Sequence, residues 1–146
     1  MKHITFYLLK KNKINVLNNN NIELLVCNLS NFFWKEGKKI LIACSSYTQA
    51  IKIDYLLWTY KKDSFLPHSL INSKYSNISP ILIGWGNNLS CIIYKDLLIN
   101  LLPNVLKFML DFNEIIDFVP HQIFLKQLAR KRYKQYLNLG FQISII

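Results

Sequence analysis

Only two of the 18 basic residues in this chain are arginines, and only eight residues are acidic. Glycine and proline stand at four each and cysteine at three. Each scarcity excludes something. Cys27, Cys44 and Cys91 are odd in number and widely spaced, with no CxxC, so they do not make a disulfide framework or a zinc site. They read as free thiols of a reducing cytoplasm, packed as small hydrophobes. His3, His68 and His121 are scattered. Dinucleotide and phosphate-binding loops need glycine where backbone must approach phosphate. The two segments that could serve, "KKNKINVLNNNN" and "CSSY", contain none. No GxSxG or HExxH occurs, and the carboxylates outside the first predicted helix (Asp54, Asp63, Asp96, Asp111, Glu114, Asp117) form no acid/base pair. Glu114 and Asp117, three apart on a predicted strand, fall on opposite faces. No apolar run approaches the ~18 residues of a membrane-spanning helix. The opening apolar stretch, Ile4–Leu9, is shorter than the roughly seven residues a secretory leader needs. The expectation is a soluble cytoplasmic protein with no cofactor, no metal and no membrane partner.

What is present is a chain of 146 residues, one domain's worth, with 51% hydrophobic residues and a net charge of +10. A chain of this length buries roughly 68–70% of its unfolded surface and needs no staple. The charge favours an acidic partner: nucleic acid, an anionic membrane or an acidic peptide. Ile, Asn and Lys dominate, the residues of AT-rich codons. Much of the lysine excess is therefore compositional drift, and each retained arginine is the more informative.

Patterning gives α/β. "ITFYLL" (Ile4–Leu9) reads as a buried strand. A helix follows, with Asn20 and Glu23 as its capping box and Gly37 as its stop. "KILIAC" (Lys39–Cys44) is a second strand, and Ser46 with Gln49 opens the helix "YTQAIKIDYLLWTY". Two strands joined through a helix imply a parallel crossover. Lys61–Pro80 reads as a long linker. Ile81–Trp85, Asp96–Leu102 and Glu114–Val119 read as strands, Val105–Asp111 as a short helix and Gln122–Leu139 as the last helix. Gly140 stops that helix, and Phe141–Ile145 is a final strand. The chain 1–146 is expected to be a single domain without repeats.

Both arginines lie in "LKQLARKRYKQY", Leu125–Tyr136. At ~100° per residue, Lys126, Arg130, Tyr133 and Leu137 share one stripe, with Lys134 beside it. Leu125, Leu128, Ala129 and Tyr136 form the core-facing stripe. Spacing alone also fits an ordinary solvated basic face. Interleaved Tyr and Leu, with Phe141 after the helix, suit instead a ligand that is both anionic and apolar, such as a peptide ending in an aromatic residue with a free carboxylate. Arginine grips a carboxylate bidentately, as lysine cannot. Arg132 falls on the core side and is expected to pair with a carboxylate there, Asp117.

The blocks "ITFYLL", "LIAC", "LLW" followed by "SFLPH", "IIDFVP" and "LKQLARKRYKQYLNLGF" resemble the chi subunit of bacterial DNA polymerase III holoenzyme. The likeness runs from Met1 to Phe141 and is weakest between Leu70 and Ile93. Ser45 and Ser46 stand where that family carries acidic residues. The resemblance implies a three-layer α/β/α, Rossmann-like, mostly parallel sheet without nucleotide chemistry, and a replisome adaptor with no catalytic activity of its own. It implies two partners, with DNA met only through them. The acidic C-terminal tail of the single-stranded DNA-binding protein, ending in Pro-Phe, would meet Val119, Lys126, Arg130, Tyr133 and Lys134, with Phe141 nearby. The psi subunit of the clamp loader would meet Trp58, Phe65 and Pro67. From composition alone Trp58, at a helix end, reads as core. A direct nucleic-acid binder and a Rossmann-like enzyme with an unrecognised site remain the alternatives.

Overall fold

The computed structural model describes residues 2–9, 21–59, 65–73, 78–91 and 95–146. Seven strands form one sheet: β1 (His3–Leu8), β2 (Ile40–Cys44), β3 (His68–Leu70), β4 (Ile81–Trp85), β5 (Leu97–Asn100), β6 (Glu114–Val119) and β7 (Gln142–Ile145). Their order is β3-β4-β2-β5-β6-β1-β7, and every pairing is parallel. Among the described residues three α-helices accompany them: α1 (Asn21–Lys35), α2 (Tyr47–Thr59) and α3 (Ile123–Asn138).

Side-chain alternation along the strands builds two cores. On one face Ile40, Ile42, Ile81, Ile83, Ile99 and Phe118 pack with Val26 and Cys27 of α1 and Ile53 and Leu57 of α2. On the other, Ile4, Phe6, Leu41, Leu98 and Ile115 pack with Tyr136 of α3, with Phe141 and with Met109 of a short 3₁₀ turn, Lys107–Asp111. The result is the expected three-layer α/β/α arrangement. β2 is buried along its whole length, as a central parallel strand covered on both faces must be.

Local chemistry explains several boundaries. The Gln49 N–H donates to Ser46 Oγ at 3.1 Å, and Gln49 Oε1 accepts from the Ser45 N–H at 2.8 Å. The capping pair is therefore real, but its return arm reaches Ser45 rather than Ser46. Gly37 and Gly140 follow α1 and α3 with φ of +86° and +89°, the left-handed conformation that ends a helix without a Cβ penalty. Asn20, expected to cap α1, lies outside the described residues.

One expectation needed correction, that of Lys61–Pro80 as a bare linker, and two further features were not foreseen. β1 and β2 are parallel, as the helix between them requires, but β5 and β6 lie between the two in the sheet. The segment read as a bare linker contains β3, whose three residues are too few to show an alternation and which exists because β4 offers a pairing edge. The 3₁₀ helix Gly86–Cys91 had no periodicity to announce it.

Candidate functional site

α3 follows β6 directly, and its inner stripe is Ala129, Arg132 and Tyr136. Leu128 is half-buried. Leu125, expected in the core, is exposed. It belongs to the helix's first turn, where Ile123 and Phe124 are exposed too, outside the core cluster. Arg132 takes the inner place instead. Its Nε donates to Asp117 Oδ2 at 3.0 Å and one Nη to Asp117 Oδ1 at 3.1 Å, the pair expected from the helix phase. The guanidinium also donates to the carbonyls of Phe118 and Pro103, both at 3.1 Å. Asp117 further accepts from the Tyr136 hydroxyl at 3.0 Å and from the Phe118 N–H at 2.6 Å. Burial pushes the Asp117 carboxyl up, while Arg132 and these donors pull the other way. Burial, with Asp117 alongside, also raises the Tyr136 hydroxyl, which therefore stays a donor. One arginine is thus spent on fixing α3 to the ends of β5 and β6.

The other arginine faces out. Arg130 and Lys134 are exposed and Lys126 is half-buried. None has an ion-pair partner among the described residues. Tyr133, on the same flank, is half-buried with its ring 6.0 Å from that of Phe6 in β1. Val119 and Ile143 pack beside it against the same core. The register extends this surface. Ile115, Asp117 and Val119 of β6 pair with Ile4, Phe6 and Leu8 of β1, and Ile4 and Phe6 pair with Ile143 and Ile145 of β7. All of these point to the α3 side. Leu8 and Ile145 are exposed, at 52% and 57%. The candidate site is a groove inferred from this register, along the β1–β7 edge of the sheet. Its wall is the Lys126, Arg130, Tyr133 and Lys134 flank of α3, and its floor is Val119, Leu8, Ile143 and Ile145.

Leu8, Ile143 and Ile145 were missed from sequence. The signal was their strand parity, unusable until β7 is known to lie beside β1. Phe141 is a correction in the other direction. It is 4% exposed, its ring edge-on to Tyr136 at 5.7 Å with the Lys2 ammonium 5.6 Å above it. The turn at Gly140 carries it under α3, where it supports the groove from the core and offers no surface.

The second predicted cluster is brought together at the opposite edge of the sheet. Trp58, which composition alone assigned to the core, is 58% exposed, and Phe65 is 65% exposed. Their rings lie 5.8 Å apart. Pro67 is half-buried beside them in sequence. Trp58 rests edge-on against His68 at 4.8 Å. The buried His68 ring sits between Leu66 O, 2.6 Å from Nδ1, and Asp54 Oδ1, 3.3 Å from Nε2. β3 and β7 are six strand steps apart, roughly 29 Å at the usual inter-strand spacing.

Among the described residues no group of His, Cys, Asp or Glu could hold a metal ion. Burial pushes the Cys27 and Cys44 thiols up to about 12, far from nucleophilic. No helix among the described residues is long and apolar enough to cross a membrane.

Fold and surfaces together define a parallel α/β protein with two separate surface patches at opposite edges of its sheet, one cationic and apolar, the other aromatic. The chain matches the family model described as DNA polymerase III chi subunit, HolC, over residues 1–144, and it belongs to that family of replication subunits. It is 40% identical over 144 residues to DNA polymerase III subunit chi of Escherichia coli K12, covering 99% of this chain and 97% of that one. The subunit chi of Haemophilus influenzae is 41% identical over 123 residues, covering 84% and 85%. That of Pseudomonas aeruginosa is 26% identical over 120 residues, covering 82% of each. Among solved structures, T4 UvsW superposes with a TM-score of 0.68 at 8% identity, over 99% of this chain and 41% of that chain. At that identity the likeness is one of fold alone.

Proposed function

We propose that this replication subunit is a non-catalytic adaptor, 1–146 acting as one domain, that joins two proteins at opposite edges of its sheet. The α3 groove takes the acidic C-terminal tail of the single-stranded DNA-binding protein. The Trp58, Phe65 and Pro67 surface takes a psi-type subunit and through it the clamp loader. The protein meets DNA through these partners, uses no cofactor and works in the cytoplasm.

The observation that carries the reading is the pairing of unpartnered cations with an apolar floor. Among the described residues Lys126, Arg130 and Lys134 have no carboxylate partner, and Tyr133, Val119, Leu8 and Ile145 lie on the same side of the sheet. A terminal aromatic residue with its carboxylate satisfies both halves at once. Arg130 gives the carboxylate a two-pronged contact, Lys126 and Lys134 add attraction for acidic residues upstream, and the ring covers the floor. At the other edge, two large exposed aromatic rings in contact are the anchors on which protein interfaces commonly depend. Diffuse lysine charge without a row of stacking rings argues against tight direct DNA binding.

Calorimetric titration with an acidic peptide ending in Pro-Phe tests the groove. Binding that weakens with salt, with C-terminal amidation and with loss of the final Phe supports the reading. Sub-micromolar affinity for single-stranded DNA at physiological salt, with no other protein present, would refute it as the main role.

A further inference from the structure

Among the described residues nothing pairs with the outer edge of β7, beside the groove. Successive strand residues turn their N–H and C=O to opposite sides. The Gln142 N–H donates to Lys2 O and the Ile146 N–H to Phe6 O, both at 2.9 Å, and Ile146 O accepts from the Leu8 N–H at 3.0 Å. Those even-numbered residues face β1. Ile143 and Ile145 therefore direct their N–H and C=O outward, where no further strand stands among the described residues. Natural edges are usually blunted by Lys, Pro or other charges. Phe141–Ile146 contains none of these.

We propose that this edge is a docking strand: an acidic peptide that fills the groove adds to the sheet as an eighth strand, hydrogen-bonded to the outward groups of Ile143 and Ile145. The proposal rests on the reading of the groove as a peptide site and specifies how the peptide is held. Two observations choose this occupant. The first is charge. The adjacent flank of α3 presents Arg130 and Lys134, exposed, and Lys126, and the chain carries +10, so an acidic segment is attracted where a second copy would be repelled. The second is continuity. Ile143 and Ile145 are part of the groove floor, so a strand alongside them lays every second side chain over the same apolar surface. Main-chain pairing supplies affinity that tolerates sequence change, and the alternate side chains supply selectivity.

Two series test it. In the first, wild-type protein is titrated with a short acidic peptide ending in Pro-Phe, N-methylated at one backbone position at a time. Strand addition requires losses of about three- to tenfold at alternating positions, the worth of one hydrogen bond each, with the intervening positions silent. In the second, Ile145→Pro removes an outward N–H that the β1 ladder does not use, and Ile145→Thr is the control that keeps it. The proline variant should bind about three- to tenfold more weakly than the threonine variant at equal thermal stability. A peptide that binds through Arg130 yet tolerates every N-methyl group sinks strand addition and leaves the adaptor reading standing. No binding of the unmodified peptide to wild type sinks both. A concentration-dependent dimer that Ile145→Pro dissolves would give the edge to a second copy and overturn the proposal. Should Ile145→Pro fail to fold, the N-methyl series decides alone.

Discussion

Arg132 grips Asp117 with two hydrogen bonds, 3.0 and 3.1 Å long, inside a core that leaves the arginine 6% and the aspartate 1% exposed. Arg130, two residues earlier, stands exposed with no carboxylate partner among the described residues. Two residues turn a helix by about 200°, so neighbouring arginines in one helix serve opposite faces. One fixes α3 to the sheet, and the other is presented by it.

Asp117→Ala should be severely destabilising. It strands the Arg132 charge in the core, and such a half-broken buried pair costs roughly 3–5 kcal/mol. Urea denaturation is the measurement. A loss below about 1 kcal/mol would mean that Arg132 finds other partners or water.

Arg130→Ala should leave the denaturation midpoint unchanged and weaken the Pro-Phe peptide by roughly tenfold or more. Arg130→Lys should recover only part of this, because charge returns without the planar fork. Equal affinities of all three proteins in calorimetry would make Arg130 an ordinary surface residue.

Phe65→Ala should remove association with a psi-type partner in a pull-down while peptide affinity at the far edge is unaltered. The two surfaces share no residue and lie on opposite edges of the sheet, where mutational effects are independent. Joint loss of both activities would point to unfolding rather than to an interface.

Phe141→Ala should behave as a core truncation, costing about 3–5 kcal/mol of stability, because the ring is packed on Tyr136. Leu8→Ser should do the reverse, lowering peptide affinity several-fold with little change in the unfolding midpoint, since Leu8 is half exposed already.

Cys27 and Cys44 should resist alkylation in the native state at pH 8 and react promptly in denaturant. Their thiols are held near 12 by burial, so the thiolate is scarce at that pH. Mass spectrometry of iodoacetamide-treated protein reads the outcome. Rapid native labelling of either thiol would show that the core around it opens.

The elements with strong periodicity could be read directly. β4 and β6 have the expected bounds, and α2 and α3 begin and end within a residue or two of their capping residues and stop signals. So could the split between Arg130 and Arg132, because helical phase is a local property. The assignment of Val119, Lys126, Arg130, Tyr133 and Lys134 to a tail site owed its partner to family likeness, and the structure contributes the flank and register that bring them together.

What the sequence could not supply is adjacency. Strand order is set by which hydrophobic faces and pairing edges meet, and it leaves no local trace, so β5 and β6 between β1 and β2 were invisible. β3 was missed for the same reason, since three residues become a strand only when β4 lends them a ladder. The groove floor depends on β7 reaching β1, a pairing between the two ends of the chain. Phe141 reads as available from its place after a basic helix, but a chain turning at Gly140 carries it inward. Composition and phase determined which residues were cationic, apolar and helical. Tertiary packing alone decided which of them share a surface, because that depends on contacts between segments more than 100 residues apart.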